Sequence, residues 1–308
     1  MSTGLVLRLL LVMILWAACF PLITLALPSS PHLTLAAMRA ILAGAALLTL
    51  GVALGRPFPS RMSLWGWIAL TGLGATTFGF LGMVHAAEYV APGMATVIAN
   101  AQPIAAALIA HLFLGERLVT RGYAGLFLGF AGVALIAGPR LLLPDADGYA
   151  LGIAYLALAA LGVAVGNVIM KFLADSMDSI MAMGLQLLLG GVVLAIAAYA
   201  LEDIGSVQWS PKFGFVLMCL ALAVTALPYW LWFSILRRVD LGRANAWTFL
   251  VAPFGLVMGF AFFGERPGFL TAGGTGLVVL GIWLAQSAGQ PADDAMRRGN
   301  PVPDKERT

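Results

Sequence analysis

The chain has 308 residues, of which 61% are apolar and 10% are charged, and its mean hydropathy is +0.96. Soluble globular proteins carry about 25% charged and about 45–50% apolar residues. The composition therefore excludes a soluble enzyme, a disordered chain and a secreted disulfide scaffold, and it indicates an integral membrane protein. The net charge is only +3, and the two cysteines, Cys19 and Cys219, lie in apolar runs that suggest neither a zinc site nor a disulfide.

Ten apolar stretches are long enough to cross a bilayer, which takes about 20 residues of helix. Short segments that contain proline or polar residues, such as 28–31 and 144–148, separate them. These runs are continuous and rich in Leu, Ala and Gly, which favours helices over the alternating strands of a β-barrel. We predict an all-α integral membrane protein with ten transmembrane helices, near residues 5–27, 33–54, 64–86, 91–114, 121–138, 149–173, 179–200, 212–234, 243–263 and 269–287.

The placement of Lys and Arg predicts the orientation, because cytoplasmic loops carry an excess of these residues. With the N-terminus inside, 13 of the 17 fall on the cytoplasmic side, three fall outside and Arg39 lies within the second helix. The prediction is a multi-pass protein of the cell inner (plasma) membrane with both termini cytoplasmic. Residues 288–308 are polar and contain proline, and we expect them to form a disordered cytoplasmic tail.

The sequence contains an internal repeat. Residues 113–132 and 262–281 align with a shift of 149 positions, and seven of the twenty pairs are identical. The pattern predicts two five-helix repeats, at 1–138 and 139–287. Because five is odd, the second repeat would enter the membrane the other way up, which gives an inverted repeat with a substrate site near the midplane. The alternative is a duplicated scaffold without a transport role.

Each fourth helix contains a proline followed by Gly-Glu-Arg, and a glycine-rich fifth helix comes next. The two stretches run from Pro103 to Gly115-Glu116-Arg117 and from Pro253 to Gly264-Glu265-Arg266. In these features, over about 5–287, the chain resembles the EamA family of the drug/metabolite transporter superfamily. The resemblance implies export of small metabolites, often amino acids, through a central cavity. Among the branches of the family, the chain most resembles exporters of broad range that also accept aromatic amino acids.

Charged and polar side chains within the predicted helices are candidates for substrate contact, since they are expensive in hydrocarbon. Arg39 could bind a substrate carboxylate, or it could extend its side chain to the outer headgroups. His85 could contact substrate at the outer mouth, or it could be an interfacial residue bonded to a loop. Asn100 is an uncharged amide in the neighbourhood of Pro103, and it could line the cavity or join two helices.

Aromatic side chains could line a cavity that accepts apolar or aromatic substrates and holds an ammonium group by cation–π attraction. Packing against glycine-rich neighbours is the alternative. The aromatic candidates are Trp16, Phe20, Phe78, Tyr229 and Trp247. Trp16 stands out because it lies near the centre of its span, whereas Trp usually lies at the membrane interface.

Pro103 and Pro253 are predicted hinges near the middle of the fourth and ninth helices. Proline removes a helical hydrogen bond and displaces the carbonyl four residues earlier. The freed carbonyls of Ala99 and Phe249 would accept hydrogen bonds from a substrate ammonium group. Simple packing kinks are the alternative reading.

None of the 14 Asp and Glu residues falls at a predicted midplane, which favours facilitated diffusion by alternating access. A proton-coupled drug or metabolite exporter and a translocase of lipid or lipid-linked sugar remain alternatives. The sequence has no Gly-x-Ser-x-Gly and no His-Glu-x-x-His motif, so we predict no catalytic residues, no metal and no cofactor. The expected partners are an amino acid and the bilayer, without nucleic acid, and the protein is expected to be a monomer or a homodimer.

Overall fold

The computed structural model describes residues 3–102, 104–105, 109, 120–142, 147–174, 176–236 and 246–287. Within these ranges the chain is helical and contains no strand. Among the described residues, seven helices are long and apolar enough to cross a membrane, and Val251–Phe263 and Phe269–Leu284 are shorter apolar helices. The prediction of an all-helical, multi-pass membrane protein is confirmed. Pro103 and the predicted tail at 288–308 lie outside the described residues.

Ten helical elements follow the order of the predicted spans. The first three are α1 (Thr3–Ala17 and Cys19–Ala26), α2 (His32–Ala53) and α3 (Met62–Thr71, Gly72–Phe78 and Gly79–Tyr89). The next four are α4 (Pro92–Ala99), α5 (Thr120–Leu141), α6 (Asp147–Ala174) and α7 (Ser179–Leu201). The last three are α8 (Pro211–Met218, Cys219–Ala226 and Leu227–Leu236), α9 (Ala246–Leu250 and Val251–Phe263) and α10 (Phe269–Ser287).

Local sequence signals account for several of the helix ends. The Asp178 carboxylate accepts hydrogen bonds from the N–H groups of Ile180 (2.9 Å) and Met181 (3.3 Å) and caps α7. Ser210 caps α8 in the same way, and α8 then begins with a proline, which lacks the N–H that the first turn leaves unpaired. Helix α9 ends at Gly264, whose φ of 67° is open to glycine without strain.

Two of the membrane helices contain a stretch of π-helix near their middle. In α3 the stretch is Gly72–Phe78, and in α8 it is Cys219–Ala226. A π-helical turn widens the helix and displaces the side chains that follow it, and such turns are frequent at functional sites. Both stretches place threonine side chains against a neighbouring helix, and one of these threonines belongs to the candidate site described below.

Helices α2 and α7 pack against each other through glycine. A Cβ added to Gly44 would lie 2.9 Å from the backbone nitrogen of Leu188, and farther along α2 a Cβ on Gly51 would meet the Met181 side chain. The residue numbers rise along α2 as they fall along α7, so the two helices are antiparallel. Small residues permit this close approach, in which dispersion contacts between the two helices are maximal.

Helices α5 and α10 form a second antiparallel pair with a glycine interface. A Cβ on Gly132 would lie 2.6 Å from the carbonyl oxygen of Gly274, and one on Gly281 would lie 2.7 Å from that of Gly125. Gly132, Gly274 and Gly281 are therefore buried within the chain, between its own two helices.

Helices α4 and α9 form a third antiparallel pair. A Cβ on Gly255 of α9 would lie 2.5 Å from the Cβ of Thr96 on α4. Ten residues after Gly255, the Glu265 carboxylate accepts a hydrogen bond from the N–H of Gly93 (2.7 Å), which precedes Thr96 on α4. Each of the three pairs therefore joins helices that are five places apart in the chain.

Contacts between helix ends divide the loops between two faces of the bundle. At one face the Glu202 carboxylate, after α7, accepts hydrogen bonds from the N–H groups of Leu33 (2.7 Å) and Thr34 (2.8 Å) at the start of α2. At the other face Arg56, after α2, lies 3.7 Å from Asp178, before α7. The face with Glu202 is the one that the Lys and Arg distribution predicts to be outside.

One sequence interpretation changes in detail. Pro253 was predicted near the middle of a continuous ninth helix. In the structure it lies in the first turn of the α-helical part of α9, directly after the 3₁₀ segment Ala246–Leu250. A proline is tolerated in the first turn because the N–H that it lacks would have no intrahelical partner there. The change of helix type precedes Pro253, and its role as a hinge stays a prediction.

Candidate functional site

Arg39 lies inside the helix bundle. It is the eighth residue of α2, about 10 Å along the helix axis from His32 at 1.5 Å per residue. Its side chain is 4% exposed, so it does not extend to the headgroups, which was the alternative reading of the sequence. The Nε–H group donates a hydrogen bond to Thr225 Oγ1 at 3.0 Å, and Cζ lies 4.0 Å from the ring centroid of Phe80.

The π-helical stretch of α8 orients Thr225. Its hydroxyl donates a hydrogen bond of 2.7 Å to the carbonyl of Leu220, five residues earlier, and its oxygen accepts the bond from Arg39. Thr225 is 2% exposed. The hydroxyl of Thr225 is therefore used both as a donor and as an acceptor within the protein. Its contact with Arg39 joins α2 to α8 through two residues that are 186 positions apart in sequence.

The positive charge of Arg39 is not neutralised by a carboxylate in the described part of the chain. The ion pairs within the described ranges join His32 to Glu88 and Arg56 to Asp178. The Nη1 atom of Arg39 is buried and makes no hydrogen bond to any of the described groups. A buried guanidinium without a counter-charge is costly in a low-dielectric interior, so this side chain is poised to bind an anion.

Apolar and aromatic side chains surround the Arg39 site. Phe20 on α1 is 2% exposed and belongs to the same buried cluster as Phe80 and Cys19. Tyr229 on α8 packs at the edge of this cluster, and its hydroxyl lies within electrostatic range of both Arg39 and Cys19. The structure thus brings together two of the predicted site residues, Arg39 and Tyr229, while Phe20 is buried in the same large cluster of helices.

Trp16 and Trp247 belong to a second cluster, formed by α1, α8 and α9. The Trp16 ring centroid lies 5.3 Å from that of Trp232, with the planes tilted by 53°. Trp16 is only one helical turn from Phe20, and α1 is interrupted between Ala17 and Cys19. Pro21 accounts for this interruption, because it cannot donate a hydrogen bond to the carbonyl of Ala17.

His85 lies at the end of α3 that the loop contacts place on the predicted outer face. Its Nδ1–H donates to the carbonyl of Leu81 at 2.8 Å, and its ring stacks on His32 with centroids 4.7 Å apart. The ring of Tyr155 on α6 lies 4.9 Å away on another side. His32 Nε2 is 3.0 Å from a Glu88 oxygen, so the histidine pair links the ends of α2 and α3.

The other predicted site residues lie apart from Arg39. Phe78 is 40% exposed, and its Cβ faces Gly162 on α6. Asn100 follows α4 and donates from Nδ2 to the carbonyl of Thr96 at 2.8 Å, so it caps its own helix. Pro103 is outside the described residues. Contact of these residues with substrate stays a prediction.

Sequence reasoning missed Thr225 and did not select Phe80 as a site residue. One signal could have found Thr225, because the repeat shift of 149 aligns it with Thr76. Thr76 lies in the π-helical stretch of α3 and donates to Gln186 Oε1 on α7 at 2.7 Å. Each of these two threonines thus contacts the second helix of the other half, Thr76 on α7 and Thr225 on α2.

A bundle of membrane-spanning helices with a buried cation in its interior is typical of a membrane transporter. The sequence model of the EamA-like transporter family matches residues 3–138 and 150–286. The chain belongs to this family, which confirms the resemblance seen in the sequence, and it is not an enzyme.

Similar proteins agree with this assignment. The "Uncharacterized transporter YvbV" of Bacillus subtilis is 30% identical over 89% of this chain and 88% of its own. A protein of Streptantibioticus cattleyicolor named "Probable terminal-alkyne amino-acid exporter" is 28% identical over 90% of this chain and 91% of its own. A solved crystal structure covers 98% of this chain and 100% of its own with a TM-score of 0.68, and its 20% identity supports the fold alone.

Proposed function

We propose that this protein exports amino acids, aromatic and other neutral ones among them, or similar small metabolites, and that Arg39 binds the carboxylate of the solute. The observation that carries the proposal is the buried guanidinium, which lacks a carboxylate partner in the described part of the chain. Guanidinium binds carboxylate through two parallel hydrogen bonds, and this geometry is specific as well as strong. The name of the Streptantibioticus relative supports an amino acid as the solute.

The surroundings of Arg39 favour a solute with an apolar or aromatic side chain. The Phe80 ring lies 4.0 Å from the guanidinium carbon, and Tyr229 is within electrostatic range of Arg39. A zwitterionic amino acid would place its carboxylate at Arg39 and its side chain against these rings. The ammonium group could then lie over a ring face, where cation–π attraction contributes about 0.5–2 kcal/mol.

We further propose alternating access between two inverted five-helix repeats, at 1–138 and 139–287. Three antiparallel pairs, α2 with α7, α4 with α9 and α5 with α10, support this arrangement, since each joins helices of equal rank in the two halves. The π-helical stretches of α3 and α8 occur at corresponding places. The family model also matches the chain in two segments. Exchange of the two conformations would open the Arg39 site to each side in turn.

Facilitated diffusion is the mode of transport that the buried residues support. Among the described residues, Arg39 is the one buried side chain that carries a charge, and the other buried polar side chains are neutral Ser, Thr and Gln. A proton-coupled carrier commonly uses an intramembrane carboxylate as its relay, and the described part of the bundle contains none that is buried. The gradient of the exported solute would then drive transport.

Counterflow in liposomes tests the proposal. Purified protein would be reconstituted into liposomes, and the liposomes would be loaded with one unlabelled amino acid at a time. Entry of radiolabelled phenylalanine would then be measured with and without a pH gradient. We expect saturable counterflow that the pH gradient does not change. Accumulation driven by the pH gradient would establish the proton-coupled alternative, and scrambling of labelled lipid without amino-acid flux would establish a lipid translocase.

Substitution of Arg39 tests the binding site in the same assay. Arg39→Gln removes the charge, and we expect the Michaelis constant for phenylalanine to rise at least about tenfold, as for loss of a charged hydrogen bond. Arg39→Lys keeps the charge but not the two-pronged geometry and should have an intermediate value. The matched control is Arg56→Gln, because Arg56 pairs with Asp178 at the face of the bundle opposite to Glu202. This substitution should leave the Michaelis constant for phenylalanine unchanged.

A further inference from the structure

We infer that Thr225 is a positioning residue, which holds the Arg39 guanidinium in the orientation that receives the carboxylate of the exported solute. The inference rests on the proposed function and adds a residue and a geometric cause to it. Thr225 does not need to contact the solute, because its oxygen accepts from Arg39 Nε at 3.0 Å and its proton is donated to Leu220.

The pattern of hydrogen bonds at Arg39 leaves one part of the guanidinium available. The Nε–H group is held by Thr225, and the Phe80 ring covers the guanidinium with 4.0 Å from Cζ to the centroid. Nη1 has no hydrogen-bond partner among the described groups although it is buried. A carboxylate would therefore approach on the Nη1 side, and the plane of the guanidinium that receives it is fixed by Thr225 and Phe80 together.

The π-helical stretch explains why Thr225 can do this. A hydroxyl that donates to the carbonyl five residues earlier is fixed in one rotamer, because the wider π turn places that carbonyl beside it. Its lone pairs then point away from the backbone of α8 toward α2. Both residues are nearly inaccessible, with exposures of 2% for Thr225 and 4% for Arg39, so water does not compete for the bond between them.

The other half of the chain supplies an internal comparison. Thr76, 149 residues before Thr225, lies in the π-helical stretch of α3 and donates to Gln186 on α7. Gln186 is 2% exposed and uncharged, and its amide also contacts the Met183 sulfur at 3.5 Å. A neutral amide thus satisfies the same kind of helix contact in one half. The charge at Arg39 is therefore not required by this packing, which supports a role toward a ligand.

The test compares two isosteric substitutions in counterflow of radiolabelled phenylalanine. Thr225→Val removes the hydroxyl that holds Arg39, and we expect the Michaelis constant to rise about tenfold while the maximal rate changes less than about twofold. Thr225→Ser keeps the hydroxyl and should restore a constant near that of the unmodified protein. Thr76→Val removes the corresponding hydroxyl in the other half and should leave the constant unchanged, although its cost in stability should be similar.

A second readout separates positioning from general damage to the helices. Competition by phenethylamine, which lacks the carboxylate, should be equally effective in the unmodified protein and in Thr225→Val. Thermal unfolding of each variant in detergent shows whether it is folded. Should Thr225→Val fail to fold, Thr225→Ala replaces it, and the inference then stands or falls on the difference between Thr225→Ala and Thr225→Ser.

The outcomes distinguish this inference from the proposed function. An unchanged Michaelis constant in Thr225→Val, together with a raised one in Arg39→Gln, would overturn the positioning role and leave the carboxylate site intact. An equal rise in Thr76→Val would attribute the effect to helix packing and would also overturn it. Unchanged constants in both Arg39→Gln and Thr225→Val would remove the proposed carboxylate site itself.

Discussion

The carboxylate of Glu265 accepts a hydrogen bond of 2.7 Å from the backbone N–H of Gly93, which precedes it by 172 residues. Gly93 is the second residue of α4, where helical N–H groups have no intrahelical partner. A carboxylate is also favoured at this end of a helix by the dipole. Glu265 therefore links the end of α9 to the beginning of α4.

Substitution of Glu265 should lower the stability of the protein more when the new side chain has no hydrogen-bond acceptor than when it keeps one. Glu265→Ala leaves the Gly93 N–H without this partner, and we expect the free energy of unfolding to fall by about 1–3 kcal/mol. Glu265→Gln keeps a carbonyl acceptor and should cost less. Thermal unfolding followed by circular dichroism in detergent would measure both, and equal melting temperatures for the two variants would contradict the role of this hydrogen bond.

Glu202 has a comparable position at the start of α2. Its two oxygens accept from the N–H groups of Leu33 and Thr34, and one also accepts from the Thr34 hydroxyl. We expect Glu202→Ala to lower the melting temperature, because two helical N–H groups lose their acceptors. Asp203→Ala is the matched control, since the exposed Asp203 side chain bonds only to Gly205 N–H in a short turn. A larger loss in Asp203→Ala would refute the assignment.

The glycine interface of α5 and α10 predicts different costs for added methyl groups. Gly132→Ala would place a Cβ 2.6 Å from the Gly274 carbonyl oxygen and 2.8 Å from the Val278 nitrogen, both of which are backbone atoms. Because backbone atoms cannot move aside easily, we expect a loss of about 1–3 kcal/mol. Gly276→Ala meets nothing within 4 Å and should be neutral or stabilising in melting experiments. Equal melting temperatures would show that the two helices are not packed in this way.

Labelling of single cysteines tests the orientation of the loops. With Cys19 and Cys219 replaced by alanine, Ser206→Cys between α7 and α8 should react with a membrane-impermeant maleimide in intact cells. Ser60→Cys between α2 and α3 should react only after the membrane is permeabilised. Reaction of both positions in intact cells would contradict the alternation of loops that the Lys and Arg distribution predicts, and with it the cytoplasmic N-terminus.

Trp16→Ala tests the second aromatic cluster as part of the transport path. We expect this substitution to lower amino-acid flux in liposomes while the protein stays folded, because the Trp16 ring would line the cavity beside Trp232. Trp209→Ala is the control, as its side chain is 68% exposed beside Phe213. Flux equal to that of the unmodified protein in Trp16→Ala would remove Trp16 from the path.

The amino-acid sequence by itself determined the class of protein and the course of its chain. Within the bilayer the backbone N–H and C=O groups must bond to each other, which a helix achieves, and such a helix needs about 20 apolar residues to cross the hydrocarbon core. The helices α2 and α7 could therefore be located from hydropathy alone. The Gly-Glu-Arg stretches at 115–117 and 264–266, each followed by a glycine-rich helix, indicated the internal sequence repeat and the resemblance to the family.

Only the tertiary structure decided which side chains meet inside the bundle. The sequence placed Arg39 in a membrane helix but did not decide whether its side chain faces the lipid or the interior of the bundle. That depends on the rotation of α2 about its axis, which the contacts of Gly44 with α7 determine. The π-helical stretch of α8 carries no hydropathy signal, yet it turns Thr225 toward Arg39. Phe78 and Phe80 looked equivalent in sequence, and packing against α6 leaves Phe78 at the surface while Phe80 faces the guanidinium. Hydrophobicity fixes where helices form, whereas close packing between distant segments fixes which of their faces is buried.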